Sequence, residues 1–241
     1  MSQHPNRAQP QTVPDPATQR RDYATGGLSE SDLAPTWLSQ FARWFTEASA
    51  AGAAPGSALA EPNAMVFATA DARGRPSARI VLLKAFDERG FTLFTNYTSR
   101  KGRDAATNPY GSLVFPWHAL GRQIVVAGTL ERVSTEETAA YFRTRPRGSR
   151  LAAWVSHQSE TINSRDVLER RRAELAARWP EPEPIPVPPF WGGLRLVPDS
   201  VEFWAGRHDR LHDRLRFRRT DAGEACRSAR DEHWVIERLA P

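Results

Sequence analysis

Six arginines and two histidines follow one tryptophan in FWAGRHDRLHDRLRFRR, residues 203–219. His208 and His212 stand four apart, the spacing of a helical metal pair, but no third ligand follows at a recognisable interval. The surrounding arginines would also repel a cation, so no metal site is expected. Asp209 and Asp213 can neutralise some of the arginines. The cations outnumber those acids, so part of the charge is left for an anionic ligand. Trp204 offers a flat apolar face beside it, which suits a planar, phosphorylated molecule.

Two other segments have the same chemical character. In TNYTSRKGRD (residues 95–104) a strand gives way to a helix capped by Thr98 or Ser99, with Arg100 and Lys101 in its first turn. Cations there oppose the helix dipole, and a bound anion would remove the conflict. The strand RIVLLK places Arg79 and Lys84 at its ends, on opposite faces, one hairpin away. It is apolar in between, like a strand buried on both faces. In STEETAAYFRTRPRGSR, Ser134 and Glu137 have capping-box spacing, and Tyr141 and Arg145 share a helical face. Ser149 follows across a turn, so an aromatic ring, a guanidinium and a hydroxyl can converge on a second phosphate.

The elements that must position these groups are mostly strands. AMVFATA, ARIVLLKAF, GFTLFTNY, YGSLVFPW, RQIVVAGTLERV, FWGGLRLVPDSVEFWAG and HWVIERLAP are rich in β-branched and aromatic residues. Short turns such as DARGRP and DERG suggest an antiparallel meander. Helices are expected at about 99–107, 135–145, 149–157 and 164–179, after an aromatic helix beginning near Pro35. Strands rarely alternate with helices, which argues against a parallel doubly wound sheet and for an antiparallel barrel with peripheral helices, α+β and mainly β. WPEPEPIPVPPFW reads as an extended polyproline strap. Residues 1–34 read as a flexible arm holding Arg20, Arg21 and Tyr23, and residues 35–241 as a single domain.

Composition bounds the function. A net charge of +5 favours anionic partners. Cys226 is the only cysteine, so no internal disulfide forms. The chain has no apolar run long enough to span a membrane and no secretory signal at its start, so a cytoplasmic protein with no membrane partner is expected.

Taken together, RIVLLK, FTNYTSRK, FPWHALGRQ, YFRTRPRGS, WVSHQS, FWGGLRL, EFWAG, RLHDR and ERLAP resemble, in order and spacing, the pyridoxamine 5′-phosphate oxidase family, from about Arg20 to Pro241. The resemblance implies an FMN-binding split barrel (an antiparallel Greek-key barrel) and a homodimer with FMN at the subunit interface. It also implies FMN-dependent oxidation of pyridoxamine and pyridoxine 5′-phosphates to pyridoxal 5′-phosphate in vitamin B6 salvage, with O2 as acceptor and H2O2, plus ammonia from the amine, as products. By position, the FMN contacts would be Arg79, Ile80, Val81, Leu82, Leu83, Lys84, Phe94, Thr95, Ser99, Arg100, Lys101 and Gln123. Gln158, Ser159, Trp204 and Arg214 would complete that site from the other subunit. Lys84, Tyr141, Arg145 and Ser149 would grip the substrate phosphate, with Arg210 and His212 as the catalytic pair at the pyridine ring. Arg20 and Tyr23 resemble residues that close over bound substrate.

The chain departs from the family pattern at Phe94, where tyrosine is frequent, at His157, where lysine is common, and in an insertion around Cys226. Two other readings stand beside this one. The first is a barrel oxidase acting on another planar substrate, such as a phenazine precursor. The second is a nucleic-acid-binding protein, supported only by charge and scattered aromatics.

Overall fold

The structure is a computed structural model and describes residues 15–19, 22–23, 26–220 and 234–241. Helix α1 (Trp37–Gly52) starts at Thr36, whose side chain accepts from the Ser39 N–H in a capping box. Its apolar positions recur at helical spacing, burying Trp37, Phe41, Trp44 and Ala48 on one face. Phe41 lies at the centre of the core, with the rings of Phe86, Phe91 and Phe115 at 4.8, 4.8 and 5.1 Å. Such edge-to-face contacts add specificity to a core already held by apolar burial.

The strands are β1 (Ala64–Ala70), β2 (Pro76–Leu82), β3 (Ala85–Asp87), β4 (Gly90–Asn96), β5 (Tyr110–Trp117), β6 (Arg122–Arg132), β7 (Trp191–Ala205), β8 (Asp213–Arg219) and β9 (Trp234–Arg238). Helix α2 (Arg100–Thr107) follows β4, and α3 (Thr135–Thr144), α4 (Arg147–Val155) and α5 (Asp166–Arg178) lie between β6 and β7. The architecture is mainly antiparallel β with peripheral helices, as expected. The sheet order is β2-β1-β5-β6-β7-β4-β3, with β8 on β7 and β9 on β8. One apolar cluster takes side chains from β1, β4, β5, β6, β7 and β8, so the sheet wraps a single core.

The simple meander is not what forms. Hairpins β1–β2, β3–β4 and β5–β6 do, but β4 crosses to pair with β7. The burial of β4 explains this: it is covered at almost every position, so it needs a neighbour on each edge. Fifteen-residue β7 supplies one, pairing through Trp191–Leu196 with β4 and through Ser200–Ala205 with β8, while β6 runs along it. The ladder shifts between Ala127 and Gly128, where a Cβ on Gly128 would collide with the Val197 carbonyl. Strand β8 was not among the expected strands, because its alternating arginines conceal the apolar face of Leu215 and Phe217.

RIVLLK also differs from expectation. It is an edge strand, and Ile80 is 73% exposed in the single chain. Its apolar middle is therefore a surface in need of a cover.

Gly90 closes the β3–β4 turn at φ 134°, where its missing Cβ makes room for the Leu196 carbonyl. Gly90→Ala is expected to cost about 3 kcal/mol, through strain and displacement of β7. Urea denaturation checks this as a lowered midpoint at unchanged slope.

A second, smaller cluster joins α3, α4 and the proline-rich strap through Phe142, Leu151, Ile185 and Trp191. The strap is pinned by the Trp154 indole N–H on the Pro186 carbonyl at 2.8 Å and by Arg147 on the Trp179 and Glu183 carbonyls. This cluster buttresses the α3–α4 corner. No described helix is long and apolar enough to cross a membrane.

Candidate functional site

A cleft of about 560 Å³ opens between β2, β4, the α3–α4 corner and the segment after α4. Arg79, Lys84, Lys101 and Arg145 line it, and among the described residues no carboxylate does. Arg79 and Lys84 reach the same cavity although the strand period sets them on opposite faces. The pairing breaks at Leu83, which turns into the core and donates its N–H to the Asn63 carbonyl at 2.8 Å. Lys84 then restarts on β4 through the Thr92 carbonyl at 2.9 Å. Ile80, Val81 and Leu82 form the apolar wall between the cations, and Leu83 supports the wall from inside.

Ser99 caps α2 by accepting from the Gly102 N–H. Lys101 Nζ lies 2.9 Å from Gln158 Oε1 and 3.5 Å from Ser99 Oγ, and Thr95 Oγ1 donates to the same Gln158 oxygen at 3.4 Å. The Arg100 N–H donates to Ser159 Oγ at 3.1 Å. Gln158 and Ser159 thus pack on α2 of their own chain, not at a distance that calls for a second subunit. Sequence distance hid this, since the two segments are nearly sixty residues apart. Burial pulls the Lys101 pKa below the ordinary lysine value, and the nearby Arg79 charge pulls the same way. Arg79 is likewise lowered by burial, with Asp104 opposing the shift and Arg100 adding to it. An anion bound between these cations would offset their mutual repulsion and the cost of their burial.

At the other end, Tyr141, Arg145 and Ser149 line the same cavity. Phe94 stacks on Tyr141 at 3.9 Å and on Trp191 at 5.4 Å, so its ring, with no hydroxyl, builds an aromatic wall. The Arg145 guanidinium sits 4.7 Å from the Trp191 ring centre, and its buried Nη1 has no hydrogen-bond partner among the described residues. Burial lowers the Arg145 pKa while Tyr141 opposes it, and burial raises that of Tyr141. A buried cationic donor without an acceptor costs free energy that a phosphate oxygen would return. The donor set therefore fits phosphate esters at both ends. Trp191 was missed at the sequence level, although its position before Gly192 and Gly193 in FWGG could have suggested a platform approached closely by backbone.

A second cleft, of about 430 Å³, is lined by Gln19, Asp22, Tyr23, Arg207, Asp209, Arg210 and His212. Here the arginine-rich stretch resolves. It is a short 3-10 turn, His208–Arg210, followed by strand β8, so the two histidines do not share a helical face. Acids from neighbouring strands take five of the six arginines. Arg207 pairs with Asp213, Arg214 with Glu202, Arg216 and Arg218 with Glu237, and Arg219 with Asp199. Arg210 has no carboxylate partner among the described residues, and its φ of 62° holds it in the left-handed region beside Asp209 at 54°.

Arg207 donates its backbone N–H to His212 Nδ1 at 3.0 Å. A backbone N–H can only donate, so Nδ1 accepts and the neutral ring carries its proton on Nε2. Tyr23 stands edge-on to Trp204 at 5.5 Å and to His212 at 5.9 Å, and His208 Nδ1 lies 2.6 Å from an Asp22 oxygen. Arg20 lies outside the described residues. Gln123, Trp204 and Arg214 sit in lateral register across β6, β7 and β8. None of the three lines the first cleft, and no residue lines both clefts. One chain therefore keeps its two groups of expected site residues apart.

Residues 56–178 match the family model described as pyridoxamine 5′-phosphate oxidase, and residues 191–241 match the pyridoxine 5′-phosphate oxidase C-terminal dimerisation region. A pyridoxine/pyridoxamine 5′-phosphate oxidase of Frankia alni is 63% identical, over 95% of this chain and 90% of that protein. One from Streptomyces avermitilis is 53% identical, over 95% and 97%. Among solved structures, PhzG from Burkholderia lata, in complex with tetrahydrophenazine-1-carboxylic acid, superposes with a TM-score of 0.75 at 31% identity, covering 88% of this chain and 95% of that one. A pyridoxamine 5′-phosphate oxidase-related, FMN binding protein from Nostoc punctiforme shares the fold at a TM-score of 0.63 and 19% identity, over 87% of this chain and 99% of that one.

Proposed function

The chain belongs to the pyridoxamine 5′-phosphate oxidase family, and from that premise we propose how its two clefts divide the work. It is a flavin-dependent oxidoreductase acting on pyridoxine and pyridoxamine 5′-phosphates. The flavin is FMN, and the product is pyridoxal 5′-phosphate. Each turnover reduces one O2 to H2O2; the amine substrate also takes up water and releases ammonia. The observation that carries this reading is the first cleft, where four cations, one of them Arg145 with a buried donor left over, meet no carboxylate among the described residues.

Arg79, Arg100, Lys101, Thr95, Ser99, Gln158 and Ser159 hold the FMN phosphate and its ribityl chain. Lys84, Tyr141, Arg145 and Ser149 hold the substrate phosphate. When bound, FMN supplies the two-electron acceptor for oxidation at the substrate carbon that becomes the aldehyde.

In the dimer, the second cleft of each copy completes the first cleft of the other. Two chains pair through the dimerisation region, covering Ile80 and bringing Gln123, Trp204 and Arg214 against the flavin. Arg210 and His212 then face the substrate ring. Arg210 stabilises charge that develops on the ring, and His212 donates from Nε2 because Nδ1 is already engaged. Tyr23 closes over the bound substrate from the amino-terminal side.

The purified protein is expected to be yellow, to release FMN on denaturation, and to form H2O2 with either B6 phosphate. A colourless protein that forms no peroxide would sink the reading. A panel including dihydrophenazine acids tests the alternative favoured by the PhzG likeness; faster turnover on those acids would reassign the substrate.

A further inference from the structure

Behind the first cleft, and outside its lining, lies a buried polar chain that the reaction does not use directly. Asp104 on α2 is 5% exposed and Thr69 on β1 is 3% exposed. Thr69 Oγ1 donates to Asp104 Oδ2 at 2.7 Å, and Arg79 Nη1 lies 2.9 Å from the same Thr69 oxygen. The direction of each bond follows from chemistry. A carboxylate can only accept, so the hydroxyl proton goes to Asp104, and the threonine oxygen is left to accept from the guanidinium. Arg79 Nη1 also donates to the Phe67 carbonyl at 2.9 Å, and Nη2 donates to Ser77 Oγ at 2.5 Å. Of the five N–H bonds of a guanidinium, three are thereby committed to the protein, leaving Nε–H and one Nη2–H for a ligand.

We propose that Thr69 and Asp104 are positioning residues that fix the Arg79 guanidinium for the FMN phosphate and counter its charge from behind. The proposal rests on the reading of the first cleft as the FMN site. It explains why an acid stands beside this cationic cluster yet stays out of the cavity. A carboxylate in the cleft would compete with the phosphate, whereas one behind a hydroxyl lowers the cost of crowding Arg79, Arg100 and Lys101 without occupying the site. Threonine is suited to the relay because a single hydroxyl can donate and accept at once.

The test is a fluorescence titration of FMN onto apo-protein, alongside thermal melting of the apo-protein. Thr69→Val is expected to raise the Kd for FMN about tenfold, and Thr69→Ser to restore it to within about threefold of the parent. In a double-mutant cycle, Thr69→Val added to Arg79→Met should cost no further affinity, since the relay acts only through Arg79. Unchanged affinity in Thr69→Val, failure of Thr69→Ser to restore it, or additive losses would each overturn the relay. If Thr69→Val does not fold, Thr69→Ala enters the same cycle. Should Arg79→Met itself bind FMN as the parent does, the assignment of the cleft fails, a result distinct from failure of the relay alone.

Discussion

Arg210→Met is expected to lower kcat on pyridoxamine 5′-phosphate about 100-fold while the flavin content per chain stays at the parent level. The reason lies in how the neighbouring charges are spent. Five arginines of the stretch are satisfied by Asp213, Glu202, Glu237 and Asp199, so changing one of them would disturb strand pairing first. Arg210 stands in a left-handed turn with no carboxylate partner among the described residues, and it lines the cleft that holds His212. Removing a preorganised cation aimed at developing charge affects the transition state more than the bound ground state, so turnover suffers. Methionine keeps the length of the side chain and removes its charge. Peroxide formation and the flavin absorbance of the purified variant measure the two quantities separately, and normal turnover would defeat the assignment.

Arg145→Leu is expected to act differently, raising KM for the phosphorylated substrates about 100-fold with kcat within about threefold of the parent. The substrate phosphate does not change during the reaction, so its contacts contribute equally to ground and transition states. Loss of such uniform binding appears in KM. The size follows from removing two charge-assisted hydrogen bonds, together about 3 kcal/mol. Arg145 carries this load because its Nη1 is buried and unpartnered, and the Trp191 ring holds the guanidinium in place. Unphosphorylated pyridoxamine is the control. Its kcat/KM should not move, and an equal loss on both substrates would mean that Arg145 supports the fold of the α3–α4 corner instead.

Residue chemistry was legible before any fold was known. Arg79, Lys84, Arg100, Lys101, Tyr141, Arg145 and Ser149 were singled out as phosphate-binding groups, and all but Arg100 line one cavity. Local signals also held where they were strongest. The Ser99 cap and the Ser134–Glu137 capping box both form, and the aromatic helix expected from near Pro35 is α1. Other features were illegible for definite reasons. The parity of RIVLLK sets Arg79 and Lys84 apart, and only the break at Leu83, held by Asn63 from another segment, turns both inward. The exposure of Ile80 follows from β2 being an edge, which its apolar composition does not reveal. Trp191 acquires its role only by lying against Phe94 and Arg145.

Sequence by itself determined the inventory: strands over helices, a surplus of cations, and motifs whose order and spacing specify the family. Those properties are local, written in side-chain type and short-range period. Tertiary structure alone decided which charges are spent and which are free. Glu237 and Asp199 neutralise Arg216, Arg218 and Arg219 across strand ladders, while Arg145 and Arg210 are left for ligands. Ion pairing depends on separations of a few ångströms between residues distant in the chain, and only the strand register sets those separations.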